Sequence, residues 1–297
     1  MVKPIIAAVG NFDGVHRGHQ YLLAETAKFA HEHDAAPGVV CFDPHPRRYF
    51  RPNDPPFLLT LPEQRNALLR QYGAKEIYSL AFDEALAAMP PKQFIEGVLK
   101  DKLGLAGVVA GADFRFGAGR AGDGAMLENR GEDIGLAVKL VETISKDSST
   151  DKFGSSAVRK ALLDGDVARA AEILGRPWSV VATVEEGRKL GRTIGFPTAN
   201  MSLGEIIAPR QGVYACRASV GGKTYEAVSN FGRRPTVGAE SPLLETNFFD
   251  FDGDLYGKEI EVEFIAFLRE EKKFNGLDEL SAQIAQDCKQ AKEILSR

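Results

Sequence analysis

Two histidines three residues apart, His16 and His19, lie in a glycine-rich stretch between an apolar run and a helical pattern. The apolar run, Ile5–Val9, is short and partly β-branched, which is typical of a buried strand. Apolar residues at helical spacing follow from Gln20 to Ala30. Amides at a helix N-terminus attract anions, and two imidazoles on a first turn can donate hydrogen bonds to phosphoryl oxygens. The stretch therefore predicts a phosphate site, and the competing interpretation is a plain turn with solvated histidines.

Two further polar motifs, at positions 43–48 and 113–117, follow predicted strands in the first half of the chain. Strand-like and helix-like stretches alternate up to about residue 175, which predicts a parallel sheet covered by helices. Ligands of open parallel sheets bind beyond the carboxyl ends of the strands. We therefore expect the three polar loops to converge at one edge of this sheet.

The pattern changes near Trp178 to short segments that alternate between apolar and polar residues, with Gly221 and Gly222 as a hairpin signal. This half predicts an antiparallel β-barrel with a C-terminal helix over residues 277–295. We place the domain boundary between residues 1–177, with a Rossmann-like α/β fold, and residues 178–297, the barrel. The apolar face of the last helix is predicted to carry Leu277, Leu280, Ile284, Cys288 and Ala291.

Residues 191–200, within the barrel half, contain glycines and a proline that restrict the backbone of a loop. Thr198 and Asn200 lie two residues apart and would face the same side of an extended segment. Neutral oxygen ligands together with nucleotide phosphates suit Mg²⁺. The alternative is an ordinary Pro-Thr turn that the asparagine caps.

Glu245 is a carboxylate within the strongly apolar segment 243–249. A carboxylate that faces the inside of a barrel is costly unless it has a task or a partner, and general base is such a task. The alternative places Glu245 on the solvent face of an alternating strand. By composition, residues 269–274 form a charged surface run.

Composition argues against a nucleic-acid-binding protein and a membrane protein. The net charge of −4 gives no general attraction to nucleic acid. Three widely separated cysteines show no metal-ligand spacing and are typical of a reducing cytosol. No apolar run is long enough to cross a bilayer, and no charged-then-apolar leader is present. We expect a cytoplasmic protein without membrane or nucleic-acid partners.

These motifs together resemble the bacterial bifunctional riboflavin kinase/FMN adenylyltransferases (FAD synthetases) from about residue 9 to the last helix. Their order and spacing carry the resemblance, because each motif alone is weak. The first half contributes residues 10–20, 42–46, 111–117 and 155–159. The second half contributes residues 191–200, 212–214, 230–236, 255–257 and 268–274, with Glu245.

The resemblance implies two reactions. Riboflavin and ATP would give FMN and ADP in the barrel, and FMN and ATP would give FAD and pyrophosphate in the N-terminal domain. In the N-terminal domain, His16 and His19 would contact the ATP phosphates and the transition state. The other residues implied for that site are Asn11, Asp13 and Gly18 in the same loop, Asp113 and Arg115 for nucleotide or flavin, and Ser156 and Arg159 for the pyrophosphate.

For the kinase, the resemblance implies that Thr198 and Asn200 hold Mg²⁺ with ATP. Glu245 would take the proton from the ribityl 5′-hydroxyl, and Arg269 would lie over the flavin. The remaining implied binding residues of the loop are Gly191, Arg192, Gly195 and Pro197.

The sequence departs from the family pattern at three positions, where Ser156 stands for a usual threonine and Glu186 and Asn247 stand for histidines. One alternative is a nucleotidyltransferase of single activity with a non-catalytic barrel. Another is a regulatory flavin- or nucleotide-binding module, which would be expected to lack Glu245 or the histidines. The sequence leaves the formation of a homo-oligomer open.

Overall fold

The structure is a computed structural model that describes residues 3–142, 153–186, 195–236 and 239–296. Packing divides the chain into two compact units. The first unit comprises residues 1–54 and 62–154, and the second comprises residues 55–61 and 155–297. This grouping is by packing, and the functional boundary at 177/178 stays a prediction.

The first unit is built on a five-stranded parallel sheet in the order β3-β2-β1-β4-β5. This confirms the predicted α/β fold. Its strands are β1 (Ile5–Val9), β2 (Ala36–Asp43), β3 (Glu76–Ala81), β4 (Gly107–Gly111) and β5 (Ala137–Val141).

Helices cover both faces of this sheet. Alternate residues of β1 face opposite sides, so that Ile6 packs with Leu23 of the first helix and Ala7 packs with the cluster around Ile95. The helices of this unit are α1 (Arg17–Glu32), α2 (Pro46–Phe50), α3 (Pro62–Gln71), α4 (Glu84–Ala87), α5 (Pro91–Gln93) and α6 (Gly124–Ile134). A π-helical stretch, Phe94–Lys102, continues α5, and a 3₁₀ turn spans Ala118–Arg120.

The second unit carries α7 (Ser155–Asp164), α8 (Val167–Leu174) and a six-stranded antiparallel sheet in the order β6-β11-β8-β9-β10-β7. Glu185, just beyond β6, bridges to Asn200 of β7 with N···O 2.8 Å, so the two edges of the sheet meet. The sheet thus forms the predicted barrel. Its strands are β6 (Trp178–Thr183), β7 (Ala199–Ser202), β8 (Gly212–Val220), β9 (Lys223–Thr236), β10 (Ala239–Phe248) and β11 (Glu259–Arg269).

The C-terminal helix α9 (Leu277–Leu295) packs on the outer face of the barrel, as predicted. Its buried residues Ala291 and Leu295 contact Val213 and Val228. The predicted apolar face was wrong at its first member, because Leu277 is 63% exposed. The contact with the sheet is made by the C-terminal half of the helix, so the first turn has no apolar surface to cover.

The sequence analysis missed several elements, among them α6 and β10. Helix α6 carries recognisable end signals: Asp123 Oδ1 accepts the Met126 amide at 2.9 Å, and Gly135 ends the helix in the left-handed region. Strand β10 pairs with both β7 and β9. No helix among the described residues has the length and apolar character that a membrane crossing requires.

Gly212→Ala tests the packing at the start of β8. Gly212 has φ +149°, and a Cβ there would lie 2.3 Å from the Arg269 carbonyl oxygen. Because the clash is with a backbone atom, which cannot move aside as a flexible side chain can, we expect the substitution to lower the free energy of unfolding by about 2 kcal/mol or more. Urea titration followed by the fluorescence of Trp178, the single and buried tryptophan, measures the change.

Gly204→Ala is the matched control, because Gly204 also has a positive φ of 54° but faces open space. It should lose only about 1 kcal/mol, the cost of the left-handed conformation. Equal losses at both positions would contradict the steric explanation.

Candidate active sites

The loop between β1 and α1 has an unusual backbone that is locked by burial. Phe12 and Val15 have φ values of 55° and 42°, and Gly14 has 81°. Positive φ is costly for bulky residues and persists where the surroundings impose it. Phe12 and Val15 are fully buried, so the packing of their side chains in the core offsets the strain of this turn and holds it in place.

His16 begins helix α1 as its N-cap. Its Nδ1 accepts a hydrogen bond from the His19 amide at 3.3 Å, which leaves Nε2 as the ring nitrogen that can carry a proton. The two imidazoles stack with centroids 3.7 Å apart. A Cβ at Gly18 would lie 3.1 Å from the Phe153 carbonyl oxygen and 3.2 Å from the His16 ring, so glycine allows this close packing.

His19 is held neutral by its surroundings. Burial and the neighbouring His16 hold the pKa of His19 well below its usual range. Its Nδ1 is buried and makes no hydrogen bond with the described residues, and Phe12 packs against the ring at 5.0 Å. A neutral imidazole in this position can donate one hydrogen bond without the cost of burying a charge.

Two cavities adjoin at this edge of the sheet and share Gly10, Asp113 and Phe114 as a common wall. The smaller, about 290 Å³, is lined by His16, Gly18 and His19. The larger is about 1040 Å³. Aromatic side chains form much of its wall, and its polar lining is mostly basic apart from Asn11 and Asp113. The aromatic and basic members are Phe42, Phe50, Phe82, Phe94, Phe114, Phe116, His45, Arg47, Arg51, Arg115 and Arg120.

The predicted convergence of three loops is thereby confirmed, since Asn11, His45 and Asp113 follow different strands and line the same cavity. Asp13 is buried at 3% exposure within the first loop. The sequence analysis noted the motif at 43–48 but assigned no role to His45 or Arg47. It also missed the aromatic walls, whose members are scattered from residue 42 to residue 116.

Ser156 and Arg159 lie on α7, which packs with the second unit. Arg159 Nε donates to the Phe57 carbonyl oxygen at 2.8 Å, and its guanidinium lies 5.4 Å from the Phe57 ring. Ser156 is exposed on the first turn. Their role at a pyrophosphate stays a prediction.

The barrel brings three of the predicted kinase residues, Asn200, Glu245 and Arg269, into one cross-strand row, with a register shift in β11 just before Arg269. Arg269 of β11 pairs with Val213 of β8, which pairs with Asn230 of β9. Asn230 pairs with Glu245 of β10, and Glu245 pairs with Asn200 of β7. Directly opposite residues of antiparallel strands share a face and lie about 5 Å apart at Cβ. The row therefore places a carboxylate between two amides, with a guanidinium at its end.

The sequence left two positions open for Glu245, and strand alternation favours the outer one. Its neighbours Leu244 and Thr246 are fully buried, and Thr246 Oγ1 lies 2.9 Å from Ser229 Oγ in the interior. Because strand residues alternate, half-buried Glu245 lies on the outer face, the face on which α9 packs over Val213.

The loop before β7 is tied to the same face. Asn200 is buried, and its Nδ2 donates to the Thr198 carbonyl oxygen at 3.3 Å, which turns Oδ1 away from that carbonyl. Asn247 Nδ2 donates to the Pro197 carbonyl oxygen at 2.7 Å. Gly195 has φ +84°. Gly191 and Arg192 lie outside the described residues.

The charged run at 269–274 is not simply a surface run. Arg269 forms a two-bonded ion pair with Asp287 of α9, Nε···Oδ1 2.8 Å and Nη2···Oδ2 2.7 Å. Asp287 is 3% exposed. Glu271 Oε1 accepts from Asn230 Nδ2 at 3.2 Å, which links the run to the middle of the cross-strand row.

Comparison with known proteins agrees with this arrangement. Residues 2–156 match the FAD synthetase family and residues 174–295 match the riboflavin kinase family. The chain is 37% identical over 290 residues to the bifunctional riboflavin kinase/FMN adenylyltransferase of Escherichia coli (strain K12), covering 97% of this chain and 92% of that protein. The chain belongs to the bifunctional riboflavin kinase/FMN adenylyltransferase family.

A second member, from Bacillus subtilis (strain 168), is 38% identical over 292 residues, with 96% of this chain and 91% of that protein covered. A crystal structure described as a macrolide-efflux protein from Streptococcus pneumoniae superposes with a TM-score of 0.88 at 29% identity. It covers 98% of this chain and 95% of its own. The two chains therefore share the fold of both units. Macrolide efflux is a description of that protein only.

The described residues that are predicted for the kinase lie in the second unit, and those predicted for the N-terminal site lie in the first unit except Ser156 and Arg159, which lie in the second. Asn11, Asp13, His16, Gly18, His19, Asp113 and Arg115 belong to the first, and Gly195, Pro197, Thr198, Asn200, Glu245 and Arg269 belong to the second. The sequence analysis assigned no role to Asn230, although it lies in the motif 230–236, or to Asp287. Asn230 is marked by its pairing with Glu245, which depends on strand register, and Asp287 by its contact with Arg269, which depends on the packing of α9.

The neutral state of His19 can be tested by an NMR titration. We expect its ring protons to show no ionisation step near pH 6.5 in the folded chain, whereas a histidine of the unfolded chain ionises there. Because the folded pKa is the lower one, this residue's contribution to stability is present above pH 6.5 and is lost as the pH falls.

His16→Asn is the companion variant, since asparagine keeps a cap acceptor but removes the neighbouring imidazole. The His19 pKa should rise and yet remain below its usual range, because burial is the larger cause. An ordinary His19 titration in the unmodified chain would contradict the assignment.

Proposed function

We propose that this chain converts riboflavin to FAD in two ATP-dependent steps. The barrel phosphorylates riboflavin to FMN, and the N-terminal domain adenylylates FMN to FAD with release of pyrophosphate. Membership of the family supports both steps. The observation that carries the kinase assignment is the cross-strand row, in which Asn200, Glu245 and Arg269 occupy one face.

In the kinase step, Glu245 accepts the proton of the ribityl 5′-hydroxyl as that oxygen attacks the γ-phosphorus of ATP. The bond to the β,γ-bridging oxygen breaks, and ADP leaves. Positioning and charge stabilisation supply most of the catalysis of phosphoryl transfer. The half-buried setting of Glu245, between the buried neighbours Leu244 and Thr246, supports this role because its backbone is rigid.

Thr198 and Asn200 would hold Mg²⁺ together with the ATP phosphates. Their oxygens are the hard, neutral donors that Mg²⁺ accepts, and the Asn200 side chain is buried and oriented by its own bond to the Thr198 carbonyl oxygen. Among the described residues no group of three His, Cys, Asp or Glu side chains forms a metal site, so phosphates and waters would complete the shell. When bound, the ion neutralises phosphate charge.

In the adenylylation step, a phosphate oxygen of FMN attacks the α-phosphorus of ATP and pyrophosphate leaves. His16 and His19 are proposed to donate hydrogen bonds to the phosphoryl oxygens where charge increases. The cap, which leaves Nε2 of His16 as the ring nitrogen that can carry a proton, and the burial that keeps His19 neutral support this role. Asn11, Asp13 and Gly18 would hold the loop.

The larger cavity is proposed to take the flavin of FMN. Its aromatic walls suit an extended planar ring system, and its basic residues suit a phosphate. Asp113 and Arg115 line it and would contact nucleotide or flavin. The wall that it shares with the histidine cavity would bring the FMN phosphate beside the ATP phosphates.

The remaining assignments rest on the family pattern. Ser156 and Arg159 are proposed to bind the pyrophosphate end of ATP, and residues 191–192, 195 and 197 to belong to the kinase nucleotide loop. The matches over 2–156 and 174–295 support a functional boundary near 177/178. A cytoplasmic location suits an enzyme that uses ATP and whose three cysteines, all within the described residues, are unpaired.

Glu245→Gln is expected to abolish FMN formation while the conversion of FMN to FAD continues. Loss of a general base lowers turnover by about 10²–10⁴-fold, and glutamine keeps the shape without the basicity. Chromatography of products from riboflavin, ATP and Mg²⁺ measures the first step, and FMN supplied with ATP measures the second. Unchanged kinase activity would remove Glu245 as the base.

Glu259→Gln is the matched control, because Glu259 is an exposed carboxylate at the start of β11 in the same barrel. It should leave both activities unchanged. If the unmodified chain accumulates FMN and forms no FAD, the adenylyltransferase assignment fails and the alternative of a single activity gains support.

His19→Ala is expected to give the reciprocal result. FAD synthesis from FMN should fall by about 10²–10³-fold, because a hydrogen-bond donor to the reacting phosphate is lost. FMN formation from riboflavin should be retained, since the change lies in the other unit. The same chromatographic assay measures both, and FAD formation at the original rate would refute the role of His19.

A further inference from the structure

Arg269 is held at the end of β11 by a residue of the C-terminal helix. Asp287 accepts from Nε and Nη2 of Arg269 at 2.8 and 2.7 Å, and the Glu270 carbonyl oxygen accepts from Nη1 at 2.8 Å. These bonds use three of the five guanidinium N–H donors. The other two, one on each terminal nitrogen, form no hydrogen bond with the described part of the chain.

Asp287 is itself rigidly placed. It is 3% exposed, and Gln283 Nε2 donates to its Oδ1 at 3.0 Å. One turn further along α9, Ala291 is fully buried against the barrel. The carboxylate is therefore fixed to the barrel by the helix packing, and a two-bonded pair with a carboxylate fixes the plane of a guanidinium.

The orientation of Arg269 matters because its strand position ends the row that contains Asn230 and Glu245. Its guanidinium also lies 5.9 Å from the ring of Phe274. A cation in this place, with two remaining donors, suits the carbonyl and hydroxyl oxygens of a flavin.

We propose that Asp287 is a positioning residue for riboflavin phosphorylation, which aims the two remaining donors of Arg269 at the flavin. The proposal rests on the kinase function proposed above. Asp287 touches no substrate in this scheme. It acts through Arg269 alone, as a supporting shell acts on the residues that bind ligand.

A purely structural ion pair is the competing interpretation. Such a pair would affect the stability of the barrel, and its loss would lower the apparent kcat of the kinase through the folded fraction while both KM values stayed unchanged. If Asp287 has a positioning role, loss of the pair would instead weaken the affinity for riboflavin and leave the affinity for ATP unchanged. The adenylyltransferase in the same chain gives an internal measure of intact enzyme.

The test is the steady-state kinetics of the full chain carrying Asp287→Asn, with riboflavin and ATP varied separately. We expect the KM for riboflavin to rise about tenfold, because asparagine cannot accept two charged hydrogen bonds. The KM for ATP and the rate of FAD synthesis from FMN should stay unchanged. Glu293→Gln, which removes an exposed carboxylate from the same helix, should change none of these values.

A double-mutant cycle separates the two interpretations. Arg269→Ala alone should raise the riboflavin KM, and adding Asp287→Asn should raise it no further. Additive effects, equal changes in both KM values, or a lower apparent kcat of Asp287→Asn with both KM values unchanged would overturn the positioning role. If Asp287→Asn does not fold, Asp287→Glu keeps the charge and shifts the guanidinium, and an unchanged riboflavin KM in that variant would overturn the proposal.

The outcomes also separate this proposal from the proposed function. If Arg269→Ala leaves riboflavin phosphorylation intact, the flavin role of Arg269 fails and the role of Asp287 fails with it. If Arg269→Ala impairs the kinase and the Asp287 variants do not, the positioning proposal alone fails.

Discussion

The register of β10 between β7 and β9 is the constraint on which the kinase site depends. Strand side chains alternate, so a slip of one residue would carry Glu245 into the barrel interior and expose Leu244 or Thr246. The register is fixed on the buried side, where Thr246 and Ser229 pair their hydroxyls at 2.9 Å. The chemistry on the outer face is thus positioned by packing on the inner face.

The position of the histidine loop likewise depends on packing in the core. Phe12 and Val15 adopt positive φ only because they are fully buried, and their burial turns His16 into the cap of α1. The cap in turn fixes which ring nitrogen of His16 can carry a proton. Core packing, backbone strain and the protonation pattern of the site are therefore linked steps.

Local patterns predicted much of this molecule. The run at 5–9, the helix after it and the hairpin at Gly221 each follow from neighbours in the chain, and the structure places them as predicted. Glu245 shows where such reasoning stops: its apolar flanks left both an inward and an outward position open, and only the burial of Leu244 and Thr246 in the folded barrel places it outside. Asp287 shows a second limit, because its partner Arg269 is distant in sequence and only the docking of α9 joins them.

The difference between the two sites follows from the protons of their substrates. A ribityl hydroxyl holds its proton at neutral pH, so its attack on ATP needs a base, and the base proposed above is Glu245, the carboxylate in the row. A phosphate monoester has its second pKa near 6 and is already largely dianionic at neutral pH. Its attack needs no base, and neutral donors that stabilise charge are sufficient. The uncharged imidazole of His19 suits that second step, and a site with a half-buried carboxylate suits the first.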